Sequence, residues 1–296
     1  MTVEIAVVGG GRIGLPVAER LVAGGHPVRV FDVRPEVEAA AASVGAGWGE
    51  PTAAEVVITV LPGSPELRQV MLGGLLDRLD PACTWIDLTS ASPALGTELA
   101  AAAARRGVAY LDAALGGGVS AAENGSMKLY VGGDAEVLDR VRPILGCFAG
   151  QIHHMGEAGS GYLTKLLINL LWFGQAVATG EALLLGQSAG LDPRRLTEVM
   201  LDSAASSEFI ASYLPSVFAG DYLPNFGLDR CVEELDSLEE LAQTRRTPYD
   251  VSSAVGRLYH QALDAFGPVD GELLGIAYLE QAADRELAEP SDRPPK

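Results

Sequence analysis

Hydrophobic positions follow two different rhythms along the chain. From residue 3 to about residue 150, short apolar β-rich runs alternate with Ala-rich stretches of helical composition. Glu4–Val8, Val28–Asp32, Val56–Leu61, Thr84–Leu88, Ala109–Asp112 and Lys128–Gly132 read as strands, with helices such as Pro16–Ala23 and Ser92–Arg105 between them. Strand, helix, strand repeated in this way predicts an α/β fold built on a doubly wound parallel sheet. After about residue 160 the β-rich runs stop. Tyr162–Ala189, Asp192–Ala204, Ser206–Ala219, Phe226–Gln243, Val251–Ala265 and Gly271–Ala288 carry helical patterns, punctuated by Pro193, Pro215, Pro224, Pro248 and Pro268. The expected organisation is a sheet domain over residues 1–160, an all-α domain over 161–288 and a disordered tail over 289–296, with one long helix joining the two domains.

Composition narrows the function. A chain of 296 residues with 48% hydrophobic positions suggests two domains, and disorder is excluded for the bulk. The 21 basic residues against 39 acidic ones give a net charge of −18, which repels phosphate backbones and anionic lipid. Nucleic-acid and membrane-surface roles are therefore not expected, whereas a small anionic ligand in a locally positive pocket is compatible with that charge. Leu166–Ala189 is long and apolar, yet Asn169, Gln175, Glu181 and Gln187 are spread along it, as in a helix buried in protein. It is more hydrophobic all round than one small domain easily covers, so a homo-oligomer, dimer or tetramer, is expected. The apolar run Val3–Val8 has no basic segment before it and ends at Gly9-Gly10-Gly11, unlike a signal peptide. Cys83, Cys147 and Cys231 are widely spaced, with no CxxC pair. They read as free thiols in a reducing cytoplasm, and no metal site is implied.

Gly9-Gly10-Gly11-Arg12-Ile13-Gly14 has the spacing G-x-G-x-x-G, follows a predicted strand, opens a predicted helix and precedes Asp32 at the end of the next strand. That context is the dinucleotide fingerprint. Gly9 makes the tight turn, Gly11 lets a pyrophosphate approach backbone N–H groups, and Gly14 lets helix and sheet pack closely. Arg12 and Ile13 complete the turn. Asp32 suits the ribose hydroxyls and favours NAD, while Arg34 keeps NADP open, because a nearby arginine accommodates a 2′-phosphate. Leu61, Pro62, Thr89 and Ser90 stand at later strand ends, where ligands bind in open α/β sheets. For Thr89 and Ser90 an ordinary strand-end turn is an equal reading.

Gly159-Ser160-Gly161 leads into the long helix, where Lys165 and Asn169 lie one turn apart on the same face. The chain has only three lysines, Lys128, Lys165 and Lys296. In a protein that otherwise uses arginine, a lysine beside Leu166, Leu167 and Ile168 suggests that an ammonium able to release its proton is needed. A lysine snorkelling from the first helical turn is the competing reading. Lys128 reads as a solvent-facing strand residue. His153 and His154 read as structural residues facing opposite sides of a strand.

Gly9–Gly14 with Asp32, Asp87–Ser90, Asp112-Ala113-Ala114-Leu115-Gly116-Gly117-Gly118, and Gly159-Ser160-Gly161 followed by Lys165 and Asn169 resemble the β-hydroxyacid dehydrogenases. That group includes 3-hydroxyisobutyrate dehydrogenase, tartronate semialdehyde reductase and the related 6-phosphogluconate dehydrogenase. The resemblance runs in order from Ile5 to about Glu280. It implies a Rossmann domain for NAD or NADP, an oligomerising helical domain and a small-molecule substrate. It also implies a catalytic lysine at Lys165, with Asn169 helping to hold lysine and substrate. Gly117 and Gly118 would offer N–H groups to a substrate carboxylate.

Three positions depart from the family pattern. Gly116 stands where the family has a carboxylate-binding serine, Ile168 where it has the first of two asparagines, and Glu233-Glu234 where it has Lys-Asp. A carboxylate at Glu233 would disfavour an anionic substrate and suit a neutral or amine-bearing one; the alternative is a solvated acidic helix face. An imine reductase, which shares the architecture but usually lacks the lysine, and a cofactor-binding protein without catalysis are the competing functions.

Overall fold

A computed structural model describes residues 2–288, so the expected tail lies outside the described residues. The chain divides into two compact units, residues 1–165 and 166–296, and the division falls inside the long helix.

In the first unit β1 (Ile5–Val8), β2 (Val28–Phe31), β3 (Gly47–Trp48), β4 (Val56–Thr59), β5 (Thr84–Asp87), β6 (Ala109–Gly116), β7 (Met127–Gly133) and β8 (Ala149–Gly156) form one sheet, ordered β3-β2-β1-β4-β5-β6-β7-β8. Neighbouring strands run parallel except β6 and β7, which are antiparallel. The helices of this unit are α1 (Gly14–Ala23), α2 (Val37–Ser43), α3 (Ser64–Val70), α4 (Leu76–Arg78), α5 (Pro93–Arg105), α6 (Gly118–Asn124), α7 (Ala135–Leu145) and the first turn of α8 (Ser160–Ser188). Every residue of β1 and β4 is buried, as covering both faces of a parallel sheet requires. One face packs Val17 and Leu21 of α1, Ala121 of α6 and Leu138 of α7. The other packs Leu67 of α3, Leu95 and Leu99 of α5, and Tyr162 of α8. Because β1 lies between β2 and β4, the crossovers diverge there, and a crevice opens outside its carboxyl end.

Two departures from the sequence pattern bear on function. β6 continues to Gly116 instead of stopping at Asp112, because its antiparallel ladder with β7 runs from Leu111↔Gly133 to Gly116↔Lys128 and keeps the glycine-rich end extended. β8 is a polar edge strand with Gln151, His153 and His154 exposed, so no apolar run announces it.

The second unit comprises the rest of α8 with α9 (Pro193–Leu201), α10 (Leu214–Phe218), α11 (Leu228–Arg245), α12 (Asp250–Phe266) and α13 (Leu274–Ala282). Leu183, Phe209, Leu214, Val217, Leu273 and Ile276 are central to its core. Ser206–Ala219 is not one regular helix. A π-helical turn, Phe209–Tyr213, precedes α10, where Pro215 lacks the N–H that a continuous α-helix would use. By length and composition α8 could cross a bilayer, a test that the core helix of a soluble protein also passes; Leu167, Ile168, Leu171 and Leu185 are exposed along it.

Candidate active site

The turn after β1 is shaped by close approach. Gly9 has φ +104°, and a Cβ there would come 2.2 Å from the Val60 carbonyl oxygen. A Cβ on Gly14 would come 1.8 Å from the Gly9 carbonyl oxygen. Neither position admits a side chain. Gly11, by contrast, has nothing within 4 Å of an added Cβ, which leaves room for a phosphate beside the backbone that opens α1. Arg12 is exposed and Ile13 packs against the core.

Asp32, just past β2, is fixed by its neighbours. The Gly10 N–H donates to Oδ2 at 2.8 Å and the Arg34 N–H to Oδ1 at 2.9 Å. The Arg34 guanidinium adds two bonds, at 3.0 and 2.9 Å. Burial works to raise the Asp32 carboxyl, but these hydrogen bonds outweigh it and hold the group below the usual carboxylate range. The carboxylate, at 6% exposure, stands at the β2 end where ribose hydroxyls would meet it, and the half-exposed guanidinium beside it suits a 2′-phosphate. Next to Phe31 lies a cleft of about 590 Å³, lined by Phe31, Val70, Gly73, Gly74, Leu75 and Arg78. That volume is ample for the flat base of a dinucleotide whose ribose meets Asp32. These residues fit an NAD or NADP molecule, and no local sequence signal marks the cleft.

Beyond the turn, Leu61 and Pro62 follow β4, and the Leu61 N–H donates to the Thr89 hydroxyl at 3.1 Å. Thr89 is buried and its hydroxyl donates in turn to Asp87 at 2.7 Å, so this side chain is directed into the protein. Ser90 is half-buried at the rim.

The start of α8 is secured by two buried carboxylates, Asp87 and Asp112, to which the sequence motifs containing them assign no role. Asp112 of β6 accepts the Gly159 N–H at 2.7 Å and the Tyr162 N–H at 3.0 Å, placing a negative charge where the helix begins. Gly161 admits the approach: a Cβ there would lie 2.3 Å from the Tyr130 carbonyl oxygen and 2.6 Å from Asp112 Oδ2. Asp87 of β5 accepts hydrogen bonds from the hydroxyls of Thr59, Thr89 and Tyr162. The Tyr162 hydroxyl also meets that of Tyr110, at 2.9 Å. Burial pushes the Asp87 carboxyl up to about 6, and burial raises Asp112 as well. Tyr162 and its carboxylate partner lie 75 residues apart, beyond any motif window.

Lys165 follows one turn after Gly161. It is half-buried, and among the described residues its ammonium has no hydrogen bond or ion pair. Asn169, one turn further, donates from Nδ2 to Oε2 of the buried Glu234 of α11 at 2.6 Å. Glu233 pairs with Arg230 Nη1 at 3.0 Å across one turn of α11, so its carboxylate already has a cation. Gly117 and Gly118 are exposed beyond β6, both with positive φ.

Two family models match the chain. Residues 4–156 match the NAD binding domain of 6-phosphogluconate dehydrogenase, and residues 159–274 match the model described as NAD-binding of NADP-dependent 3-hydroxyisobutyrate dehydrogenase. The chain is similar to 3-hydroxyisobutyrate dehydrogenase of Pseudomonas aeruginosa, at 36% identity over 219 residues, which is 72% of this chain and 74% of that protein. It is also similar to NAD-dependent L-serine dehydrogenase of the same organism, at 30% identity over 274 residues, covering 88% and 92% of the two chains. Among solved structures, Mycobacterium tuberculosis 3-hydroxyisobutyrate dehydrogenase with L-serine superposes with a TM-score of 0.85 at 28% identity, covering 94% of this chain and 99% of that one.

Proposed function

The chain belongs to the β-hydroxyacid dehydrogenase superfamily, and from that premise we propose that it interconverts a small β-hydroxy acid and its carbonyl form, with Lys165 as general acid and base. It is an NAD(P)-dependent dehydrogenase acting on CH–OH groups. The observation that carries the finer reading is the setting of Lys165. Its ammonium has no partner among the described residues, and it stands one turn beyond a helix start held by Asp112 and Tyr162.

The bound dinucleotide supplies the hydride acceptor or donor. Gly9 to Gly14, Asp32 and Arg34 would hold it, together with backbone at Leu61 and Pro62 and the Ser90 hydroxyl. In oxidation Lys165 Nζ takes the proton of the substrate hydroxyl; in reduction it returns one to the carbonyl oxygen. Asn169, fixed by Glu234, keeps a polar side chain one turn from Lys165. Gly117 and Gly118 offer N–H groups to the substrate carboxylate. Gly116, Ile168 and Glu233 stand where the family has serine, asparagine and lysine, so the preference among small hydroxy acids is expected to differ from the family's usual one. An amine-bearing substrate finds less support, because Arg230 already pairs with Glu233. The exposed Leu167, Ile168 and Leu171 of α8 support a homo-oligomer in which that stripe is buried.

The test is reduction of NAD and of NADP in the presence of 3-hydroxyisobutyrate, L-serine, L-threonate and 2-(hydroxymethyl)glutarate. Turnover of at least one acid is expected. No turnover of any acid with either dinucleotide would contradict the proposal.

A further inference from the structure

Gly116, Lys128 and Tyr130 share one face of the sheet. Gly116 pairs with Lys128 and Ala114 with Tyr130 across the β6–β7 ladder. Lys128 pairs in turn with Gln151, and Tyr130 with His153, across β7–β8. Cross-strand partners, and residues two apart on a strand, point to the same side. The intervening Leu129 and Val131 are buried in the opposite core, whereas Lys128 is exposed and Tyr130 half-buried.

On this face the Tyr130 hydroxyl and the base of the Lys128 side chain lie beside Gly116. Gly116 contributes no side chain; an added Cβ would meet Tyr130 Oη at 3.4 Å and Lys128 Cβ at 3.8 Å. The Tyr130 ring stacks on His153 at 6.0 Å with 19° between planes, which limits its swing. Burial raises the Tyr130 phenol, so at neutral pH it keeps its proton and is a donor. Among the described residues neither the Tyr130 hydroxyl nor the Lys128 ammonium has a hydrogen bond or ion pair. In a chain with 39 acidic residues against 21 basic ones, a strand lysine that no carboxylate among the described residues meets is an available cation.

The same face receives the helix that bears Lys165. Gly161 of α8 packs against the Tyr130 backbone so closely that a Cβ would come 2.3 Å from its carbonyl oxygen. Lys165 is one turn further along, within the same unit. Tyr130 and Lys128 thus lie on the strand against which the start of this helix is set.

We infer that Tyr130 and Lys128 bind the carboxylate of the substrate, with the Tyr130 hydroxyl donating where Gly116 has none and Lys128 supplying the cation. The inference rests on the dehydrogenase reading and names its substrate class: small hydroxy acids with a free carboxylate, selected over neutral analogues. The carboxylate site thereby gains donors on β7 beside the Gly117 and Gly118 N–H groups, so serine at position 116 is dispensable. A charge-assisted hydrogen bond of this kind gives about a tenfold preference.

The test measures binding and turnover of the four acids named above against their methyl esters, with NAD or NADP present. The proteins are the full-length wild type, Lys128→Met, Tyr130→Phe and Tyr130→Phe/Gly116→Ser. Calorimetric binding to the wild type should favour at least one acid over its ester by about tenfold or more. Lys128→Met and Tyr130→Phe should each remove most of that preference. Serine at position 116 meets only ordinary contacts and should restore part of it in the Tyr130→Phe background. An unchanged acid-to-ester ratio in both single variants would overturn the inference, as would a wild type that binds no acid in preference to its ester. If the variants lose acid binding while the wild type turns over nothing, the carboxylate site stands and the dehydrogenase reading fails.

Discussion

The dinucleotide turn and the β6–β7 end of the sheet are built on opposite terms. At the turn, packing dictates identity: a methyl group on Gly9 or Gly14 would collide with a backbone carbonyl at 2.2 or 1.8 Å. At Gly116 the nearest neighbour of such a methyl would be a tyrosine hydroxyl at 3.4 Å, an ordinary contact. A cofactor site of the first kind has no freedom to drift, whereas a substrate site of the second kind can exchange one donor for another. The departures from the family pattern at Gly116, Ile168 and Glu233 leave the glycines of the turn intact.

Substitutions at the two ends should separate these regimes. The largest effect is expected from Gly14→Ala, which overpacks the turn. It should lower stability by roughly 2–3 kcal/mol and abolish detectable dinucleotide binding, read by thermal shift and by quenching of intrinsic fluorescence. Tyr162→Phe leaves Asp87 short of one buried donor. It should cost about 1–3 kcal/mol, seen as a lower Tm with dinucleotide affinity largely kept.

Asp87 gives the comparison a pH dependence. The folded chain holds its proton more tightly than the unfolded chain does, with a native value near 6 against an ordinary carboxylate value. Its contribution therefore favours folding below about pH 4 and is lost as pH rises through about 6. Asp87→Asn should flatten the stability profile of the protein across that window, measured by Tm at intervals of pH. The smallest effect is expected at the permissive end, where Gly116→Ala should change stability by no more than about 0.5 kcal/mol.

The same contrast explains what could be read from the chain itself. The fingerprint turn was legible because each of its glycines answers a local demand, and the strands of the parallel sheet because they are buried on both faces. Lys165 stood out as one of three lysines in an apolar segment. The anchors of α8 were hidden, since Asp112 meets Gly159 and Tyr162 only after β6 and the helix start have packed together. Lys128 looked like any solvent-facing strand residue until the antiparallel register placed it opposite Gly116. The stretch from Ser206 to Ala219 has helical composition, and only the fold shows how its proline is accommodated by a wider turn.

Whether Lys165 moves the proton is decided by Lys165→Ala, with the best acid of the panel as substrate and dinucleotide affinity measured in parallel. In this variant kcat should fall by roughly 10²–10⁴ while dinucleotide affinity is unchanged and added primary amine restores part of the rate. A variant that keeps kcat within about threefold of wild type would contradict that role.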